Sequence, residues 1–340
     1  MREYLNQYLE NDEKSRIKLT DFYTHYCKSV DDPLSYEKFC EYIRPIYSTK
    51  RMTGGIYILG MRLKEIQQKP KSNNQAFILH ITDTHFGKKT LSYNYSKACG
   101  YMDSLAKRLD VIAKRDDLYD KCDEMHIMAT GDIVDGFGIF PSQANYLEES
   151  DPIKQVEWGI QALQPLCEFG SRFKSFNFHV QAGNHGRINK FAKESTNWDV
   201  LFGSLLIQKL GQKATVGYYR PRVVQVKNYG FLLYHGDEIN SSMGIPFYGI
   251  LRLSKEWAIN IPNWQYLLMG HFHTCAFIPI NHQNGIHASK IYMSGSPVTD
   301  DDFSIKKYGK DADPSWWAFV LDPDERVGIT SEHRMNLHYE

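Results

Sequence analysis

The chain has 340 residues, of which 40 are Lys or Arg, 40 are Asp or Glu and 13 are His, so its formal net charge is zero. A balanced chain has no strong overall field to attract nucleic acid or an anionic membrane, so any such contact must come from a local patch. The sequence has no apolar run long enough to span a membrane, no secretory signal at its start and no C-x-x-C pair among its six cysteines. These features predict a cytoplasmic protein with reduced thiols and no membrane attachment.

The length predicts two domains. Residues 1–66 are interpreted as a small helical domain, the polar stretch at residues 67–75 as a linker, and residues 76–340 as a larger second domain.

Within the first domain, helical spacing is expected from residue 20 to about 30 and from residue 36 to about 47, with Thr20 and Ser35 as N-caps. Two glycines then precede a short apolar run at residues 56–59. Helix, turn, helix and hairpin is the order of a winged helix-turn-helix, which is the fold expected for this domain.

Charge is uneven in this region. Between residues 44 and 71, seven basic residues occur with a single acidic one, Glu65. The stretch is either a solvated face or a contact surface for nucleic acid or a protein partner, and the sequence leaves both interpretations open. The basic residues are Arg44, Lys50, Arg51, Arg62, Lys64, Lys69 and Lys71.

From residue 76 onward, apolar runs alternate with amphipathic stretches, and the last third is richer in strands. This alternation predicts a layered α/β sandwich. Strands are expected at residues 76–82, 125–130, 176–182, 231–234, 266–269, 290–293 and 317–321, and helices at residues 95–114, 153–173, 200–210 and 249–257.

A polar cluster directly follows each of the first five expected strands. Open α/β sheets bind ligands at the carboxyl ends of their strands, so we expect the five clusters to meet there. Each motif alone recurs by chance in turns, whereas all five in this order do not. In chain order they are Asp83-Thr84-His85, Gly131-Asp132 with Asp135, Gly183-Asn184-His185, His235-Gly236-Asp237 and Gly270-His271-Phe272-His273.

Carboxylate, amide oxygen and imidazole form a mixed ligand set that suits Mn²⁺, Fe or Zn better than Ca²⁺. One carboxylate can bridge two ions about 4 Å apart, and such a pair acidifies a water and holds phosphoryl oxygens. The clusters therefore predict a metal-dependent site for phosphate chemistry.

The order D-x-H, G-D-x-x-D, G-N-H, H-G and G-H-x-H, over about residues 76–300, resembles the calcineurin-like metallophosphoesterase superfamily. The resemblance implies a four-layer αββα sandwich that holds two divalent ions, with Mn favoured and Fe, Zn and Mg as alternatives. One ion would be held by Asp83, His85, Asp132 and His273, and the other by Asp132, Asn184, His235 and His271. His185 would act as general acid or transition-state stabiliser, and Asp135 would orient it.

Departures from the family's patterns argue against two of its subtypes, the protein phosphatases and the purple acid phosphatases. Gly136-Phe137 stands where protein phosphatases have Arg-Gly, and Asp135 stands where purple acid phosphatases have a metal-binding Tyr. The double-strand-break repair nucleases share the motif set but usually have Asp where this chain has Gly186. The G-N-H-G-R form is similar to phosphoesterases encoded by phages.

Three basic residues near the motifs are candidate substrate contacts. Arg187 would clamp a phosphate or, equally well, pair with an acidic neighbour. Lys88 and Lys89 would border the cleft or lie in a solvated loop.

The sequence thus predicts a dinuclear-metal phosphodiesterase in which an activated water attacks phosphorus and His185 assists, with nucleic acid or a nucleotide as substrate. A small-molecule phosphatase or cyclic-nucleotide phosphodiesterase is one alternative. A DNA- or protein-binding factor with an inactive phosphoesterase domain is the other. The nuclease resemblance also implies a homo-oligomer, although no sequence feature demands one.

Overall fold

The structure is a computed structural model, and it forms two compact units, Met1–Lys71 and Ser72–Glu340. Most of the linker expected at residues 67–75 lies outside the described residues. The structure describes residues 9–29, 34–44, 47, 49–52, 55–63, 74–141, 143–189, 191–193, 195–218, 221–240, 246–280, 289–300, 311–324 and 327–338.

The first unit combines two helices with a three-stranded antiparallel sheet of order β1-β3-β2. The expected helices and hairpin are present, but Thr20 lies inside α1 rather than capping it. The strand β1 was not expected, because its polar sequence carries no alternating apolar pattern; it is stabilised by pairing with β3. In chain order the elements are β1 (Leu9–Lys18), α1 (Leu19–Ser29), α2 (Tyr36–Ile43), β2 (Thr49–Met52) and β3 (Gly55–Leu63).

The core of this unit is aromatic. Phe22 and Phe39 are fully buried, and their ring centroids lie 5.4 Å apart in an edge-to-face contact. Ser35 caps α2 by accepting a hydrogen bond from the Lys38 amide. The capped helix directs Phe39 and Ile43 into the core, as its apolar spacing predicts.

The second unit contains two sheets. The six-stranded sheet has the order β14-β13-β4-β5-β6-β7, and its four strands from β4 to β7 are parallel. Its members are β4 (Gln75–Ile81), β5 (Cys122–Ala129), β6 (Ser175–Gln181), β7 (Ala214–Gly217), β13 (Ser315–Asp322) and β14 (Gly328–Asn336).

The five-stranded sheet has the order β11-β12-β10-β9-β8, with β9, β10 and β12 parallel at its centre. Its members are β8 (Arg222–Val226), β9 (Tyr229–Leu233), β10 (Tyr266–Met269), β11 (Ala276–Ile280) and β12 (Ser289–Met293).

Six α-helices accompany these sheets in the described part of the second unit. The single helix expected at residues 153–173 is broken in two, because Pro165 at the start of α6 has no amide proton to continue the earlier helix. The helices are α3 (Tyr95–Arg115), α4 (Leu118–Lys121), α5 (Pro152–Ala162), α6 (Gln164–Gly170), α7 (Trp198–Leu210) and α8 (Phe247–Asn260).

Alternating side chains of the strands build four layers. Leu79 of β4 packs in the cluster beneath α3 and the other helices, whereas its neighbour Ile78 faces the second sheet and packs with Phe231. On the far side of the second sheet, Leu267 packs in one cluster with Ile250 of α8. This αββα arrangement confirms the fold class expected from the sequence.

Among the described residues, no helix is both long and apolar enough to cross a bilayer.

Replacing Phe319 by Ala tests the packing between the sheets. Phe319 is fully buried, and its ring centroid lies 4.5 Å from that of Tyr292 in the facing sheet. We expect the free energy of unfolding, measured by urea denaturation, to fall by roughly 3 to 5 kcal/mol. The control Val111→Ala removes an apolar side chain that is 64% exposed and should change it by less than about 0.5 kcal/mol. Equal losses in both variants would contradict the layered core.

Candidate metal centre

The loops that follow β4 and β5 run side by side and bring their polar residues together. The Asp83 amide donates to the Gly131 carbonyl (3.1 Å), and the His85 amide donates to the Asp132 carbonyl (3.0 Å). Three residues after Asp132, the Asp135 amide donates to the Phe86 carbonyl (3.0 Å). These bonds extend the pairing of the two strands into the site.

Five polar motif residues have left-handed backbone conformations, which cost L-residues with a side chain about 1 kcal/mol or more each. Such a conformation persists only where surrounding contacts impose it. The residues are Asp83, His85, Asp132, His271 and His273, with φ between 47° and 68°.

Glycines let two loops approach closely. A Cβ on Gly131, whose φ is 96°, would lie 2.6 Å from the Gly183 Cα. A Cβ on Gly183 would lie 2.2 Å from Asp132 Oδ1. Any side chain at either position would separate the loops after β5 and β6.

The first ligand cluster contains Asp83, His85 and His273. The two imidazole Nε2 atoms lie 3.2 Å apart, and Asp83 Oδ1 lies 3.4 Å from His273 Nε2 and 3.9 Å from His85 Nε2. The other carboxylate oxygen, Oδ2, accepts hydrogen bonds from the Thr82 hydroxyl (2.8 Å) and the His271 amide (3.0 Å). Asp83 therefore has one anchored oxygen and one directed at the histidines.

The second cluster contains Asp132, His235 and His271. Asp132 Oδ2 lies 3.0 Å from His235 Nε2, and Asn184 Oδ1 lies 2.9 Å from the same nitrogen and 3.1 Å from His271 Nδ1. On the other side of its ring, His235 Nδ1 donates to the Thr130 carbonyl (2.7 Å), which directs Nε2 toward the cluster.

Burial and neighbouring charges set the protonation of these groups. Burial lowers the pKa of His85 to about 4 and that of His271 to about 3, so both imidazoles are neutral near pH 7. Burial also opposes ionisation of Asp83, but the His273 hydrogen bond and nearby histidines outweigh it and lower the pKa to about 2. For His235, the negative field of Asp132 outweighs burial and raises the pKa to about 10.

Those donors form a set that fits divalent metal ions. Buried ionised carboxylates need a cationic partner, and neutral imidazole and amide oxygen complete a mixed O/N set suited to Mn²⁺, Fe or Zn. An ion at the second cluster would take the place of the proton that Asp132 attracts to His235.

His185 lies beside both clusters without being in either ligand set expected from the sequence. Its amide donates to Asp132 Oδ1 (2.8 Å), and its Nδ1 lies 3.2 Å from Asp135 Oδ1. The same Asp135 oxygen lies 3.1 Å from His85 Nδ1. Burial lowers the pKa of His185, but the Asp132 and Asp135 carboxylates outweigh it, and the net shift is upward.

The candidate substrate contacts have different surroundings. Lys88 is buried, with its Nζ 3.8 Å from Asp135 Oδ1, so it is neither in a solvated loop nor on an exposed cleft border. Lys89 is exposed. Arg187 pairs with Asp237 at 2.5 Å, which realises the acidic-neighbour alternative left open by the sequence.

Sequence reasoning missed Asp199, a fully buried carboxylate in the first turn of α7. It accepts hydrogen bonds from the amides of Asp132 (3.0 Å), Ile133 (3.1 Å), Val134 (3.3 Å) and Gly183 (2.9 Å). The Asn-x-Asp spacing signals a helix start, but it does not reveal which distant amides the carboxylate binds.

Asn197, a second residue that sequence reasoning missed, explains why this chain has Gly186 where the repair nucleases usually have Asp. Asn197 caps α7 by accepting from the Asp199 amide, and its Nδ2 donates to the Gly183 carbonyl. A Cβ on Gly186 would approach Asn197 Oδ1 to 2.3 Å. The acidic residue usual in the repair nucleases therefore has no room here.

Comparison with known proteins agrees with this geometry. Residues 78–316 match the family described as Calcineurin-like phosphoesterase, and the chain belongs to that family. Membership supports a metal-dependent phosphoester hydrolase.

The individual proteins that match this chain have low sequence identity to it. The DNA polymerase II small subunit of Archaeoglobus fulgidus is 26% identical over 166 residues, which are 48% of this chain; the match spans only 30% of that protein. A Vps29 single mutant from Entamoeba histolytica (TM-score 0.35, 12% identity) covers 76% of this chain and 98% of its own. A metallophosphoesterase from Sphaerobacter thermophilus (TM-score 0.29, 16% identity) covers 76% and 88%.

Replacing Asp199 by Asn tests the amide cluster. The amide side chain loses the charge and turns an NH₂ group toward backbone N–H groups. We therefore expect the free energy of unfolding in urea, without metal, to fall by at least about 2 kcal/mol. Calorimetric titration with Mn²⁺ should show roughly 10-fold weaker binding or worse, because the loops that carry Asp132 and Asn184 lose their anchor.

The matched control is Asp103→Asn, at an exposed carboxylate that pairs with Lys107 on α3. It should leave both the unfolding free energy and the Mn²⁺ affinity within experimental error. Unchanged Mn²⁺ affinity in Asp199→Asn would show that the cluster does not position the site.

Proposed function

We propose that the chain is a two-metal phosphodiesterase that acts on nucleic acid. The observation that carries this proposal is the convergence of two ligand clusters and His185 at the carboxyl ends of parallel strands in both sheets. Family membership supports the phosphoester chemistry.

The ligand assignment is part of the proposal. Asp83, His85 and His273 would hold one ion, Asn184, His235 and His271 would hold the other, and Asp132 would contribute to both. Two bound divalent ions, with Mn favoured and Fe, Zn and Mg as alternatives, would supply an acidified water and positive charge for the phosphoryl oxygens.

His185 is the proposed proton donor to the leaving oxygen. Because its Nδ1 faces Asp135, the proton available for transfer is the one on Nε2. Asp135 fixes the ring orientation, and the ammonium group of Lys88 beside Asp135 favours its ionised form. Lys88 thus serves the site through Asp135 rather than by contact with substrate.

Two basic residues remain proposed phosphate contacts. Lys89 is exposed, directly after the first motif. Arg187 is held by Asp237, and its side chain is 33% exposed, so one edge of the guanidinium can still face a phosphate.

Three observations support nucleic acid as the substrate. The motif set resembles that of the repair nucleases, and a matching relative is a DNA polymerase subunit. In the first unit, Arg44, Lys50 and Arg51 are exposed. The side chain of Arg62 is not described, and Lys64, Lys69 and Lys71 lie outside the described residues.

Two substitutions test the catalytic assignment. Asp132→Asn should abolish Mn²⁺-dependent hydrolysis of bis-para-nitrophenyl phosphate, because both ions lose a shared anion. His185→Asn should bind Mn²⁺ normally in calorimetry yet turn over roughly 10²- to 10⁴-fold more slowly. Normal rates in Asp132→Asn at saturating metal would contradict the assignment of Asp132 as a shared metal ligand.

The substrate class is tested with the same preparation. Wild-type protein with Mn²⁺ is compared on the diester and on para-nitrophenyl phosphate, then on single-stranded DNA, duplex DNA, RNA and nucleotides. Preference for the monoester or for a cyclic nucleotide would favour the small-molecule alternatives. Metal binding without turnover on any of them would favour an inactive binding factor.

The basic residues of the first unit are tested by charge reversal in the full chain. Lys50→Glu with Arg51→Glu should weaken DNA binding and reduce the slope of log affinity against log salt, because fewer counterions are released. The control pair Lys107→Glu with Lys114→Glu reverses two exposed charges on α3. Equal effects of both pairs would indicate a general charge effect and no contact surface in the first unit.

A further inference from the structure

The loop after the second motif passes over His185. Gly136 has φ 72°, and a Cβ there would lie 2.3 Å from the His185 carbonyl oxygen, so the chain touches His185 directly. Four residues later, the ring centroid of Phe140 lies 4.6 Å from that of His185, with the planes tilted by 41°. Phe140 is partly exposed, and its ring flanks the proposed proton donor from this loop.

The position of this ring is built into the fold. Gln143 is buried, and its Oε1 accepts hydrogen bonds from the amides of Ile139 (3.0 Å) and Phe140 (3.4 Å). Its Nε2 donates to the Asp135 carbonyl (2.6 Å) and to Asp135 Oδ2 (3.2 Å). One side chain therefore sets both the partner of His185 and the ring next to His185.

The position of Phe140 beside His185 bears on which leaving groups the site can accept. If His185 protonates the leaving oxygen, the group attached to that oxygen lies close to the imidazole, and the Phe140 ring is in contact with that imidazole. A flat aromatic group can stack on a phenyl ring, whereas a small polar alcohol gains little from it. Phe137, 47% exposed on the same loop, adds apolar surface.

We propose that Phe140 forms a leaving-group subsite that stacks against the nucleobase of the departing nucleoside. This inference rests on the proposed phosphodiesterase function and deepens it, since it specifies which side of the scissile bond is recognised. Phe140 is a specificity-determining residue, while the reacting groups remain those of the metal centre and His185.

The test uses the full chain with Mn²⁺ and three substrates: the dinucleotide thymidylyl-thymidine and its two analogues that each lack one base. Wild-type protein should show a raised KM for only one analogue, the one whose leaving nucleoside has no base. Phe140→Ala should raise KM for the intact dinucleotide by roughly 5-fold or more and erase its advantage over that analogue. Phe140→Trp should restore the advantage.

A role confined to holding the His185 ring predicts a different result. Phe140→Ala would then lower kcat on all three substrates by the same factor and leave the KM ratios unchanged, which would overturn the subsite. The control Phe191→Ala removes a phenyl ring that is 99% exposed and should change no ratio. Anisotropy of a fluorescein-labelled oligothymidylate with metal-free protein gives a second readout, and Phe140→Ala should weaken that binding.

The two proposals fail in different ways. Turnover of all three substrates with unchanged ratios in Phe140→Ala overturns the subsite and leaves the phosphodiesterase in place. Absence of Mn²⁺-dependent cleavage of bis-para-nitrophenyl phosphate by wild-type protein overturns both.

Discussion

The carboxylate of Asp199 holds the loops of the candidate centre in place. It lies in the first turn of α7, and it accepts the amides of three consecutive residues after β5 and one after β6. Buried backbone amides need a hydrogen-bond acceptor, and the Asp199 carboxylate supplies one for these four. By satisfying them with one buried anion, the fold brings Asp132 and Asn184 together on loops that would otherwise separate.

The candidate metal centre contains several features that, taken alone, lower the stability of a folded protein. Buried carboxylates, the neutral imidazoles of His85 and His271, and five non-glycine residues with left-handed backbone all lie at the ends of well-packed strands. The apolar layers on both sides of the six-stranded sheet supply the compensating burial. A divalent cation suits this site, because it would neutralise the carboxylates and bind imidazole in the neutral form that burial favours at His85 and His271.

Much of this architecture could be predicted from local patterns. The strand at residues 266–269 coincides with β10, and the N-cap signal at Ser35 is realised in α2. Other features depend on distant partners. β1 has no apolar alternation and is a strand because β3 pairs with it. The break between α5 and α6 had a local signal, Pro165, which the apolar periodicity across it obscured.

The sequence by itself determined the ligand types, their order and their places after apolar strands, because those properties are written in residue identity and spacing. Only the tertiary structure decided which atoms meet. Arg187 pairs with Asp237, Lys88 is buried against Asp135, and Phe140 lies on His185 through contacts between residues far apart in the chain or across a folded loop. Spacing along a chain cannot report such contacts, since they depend on how sheets and loops pack in three dimensions.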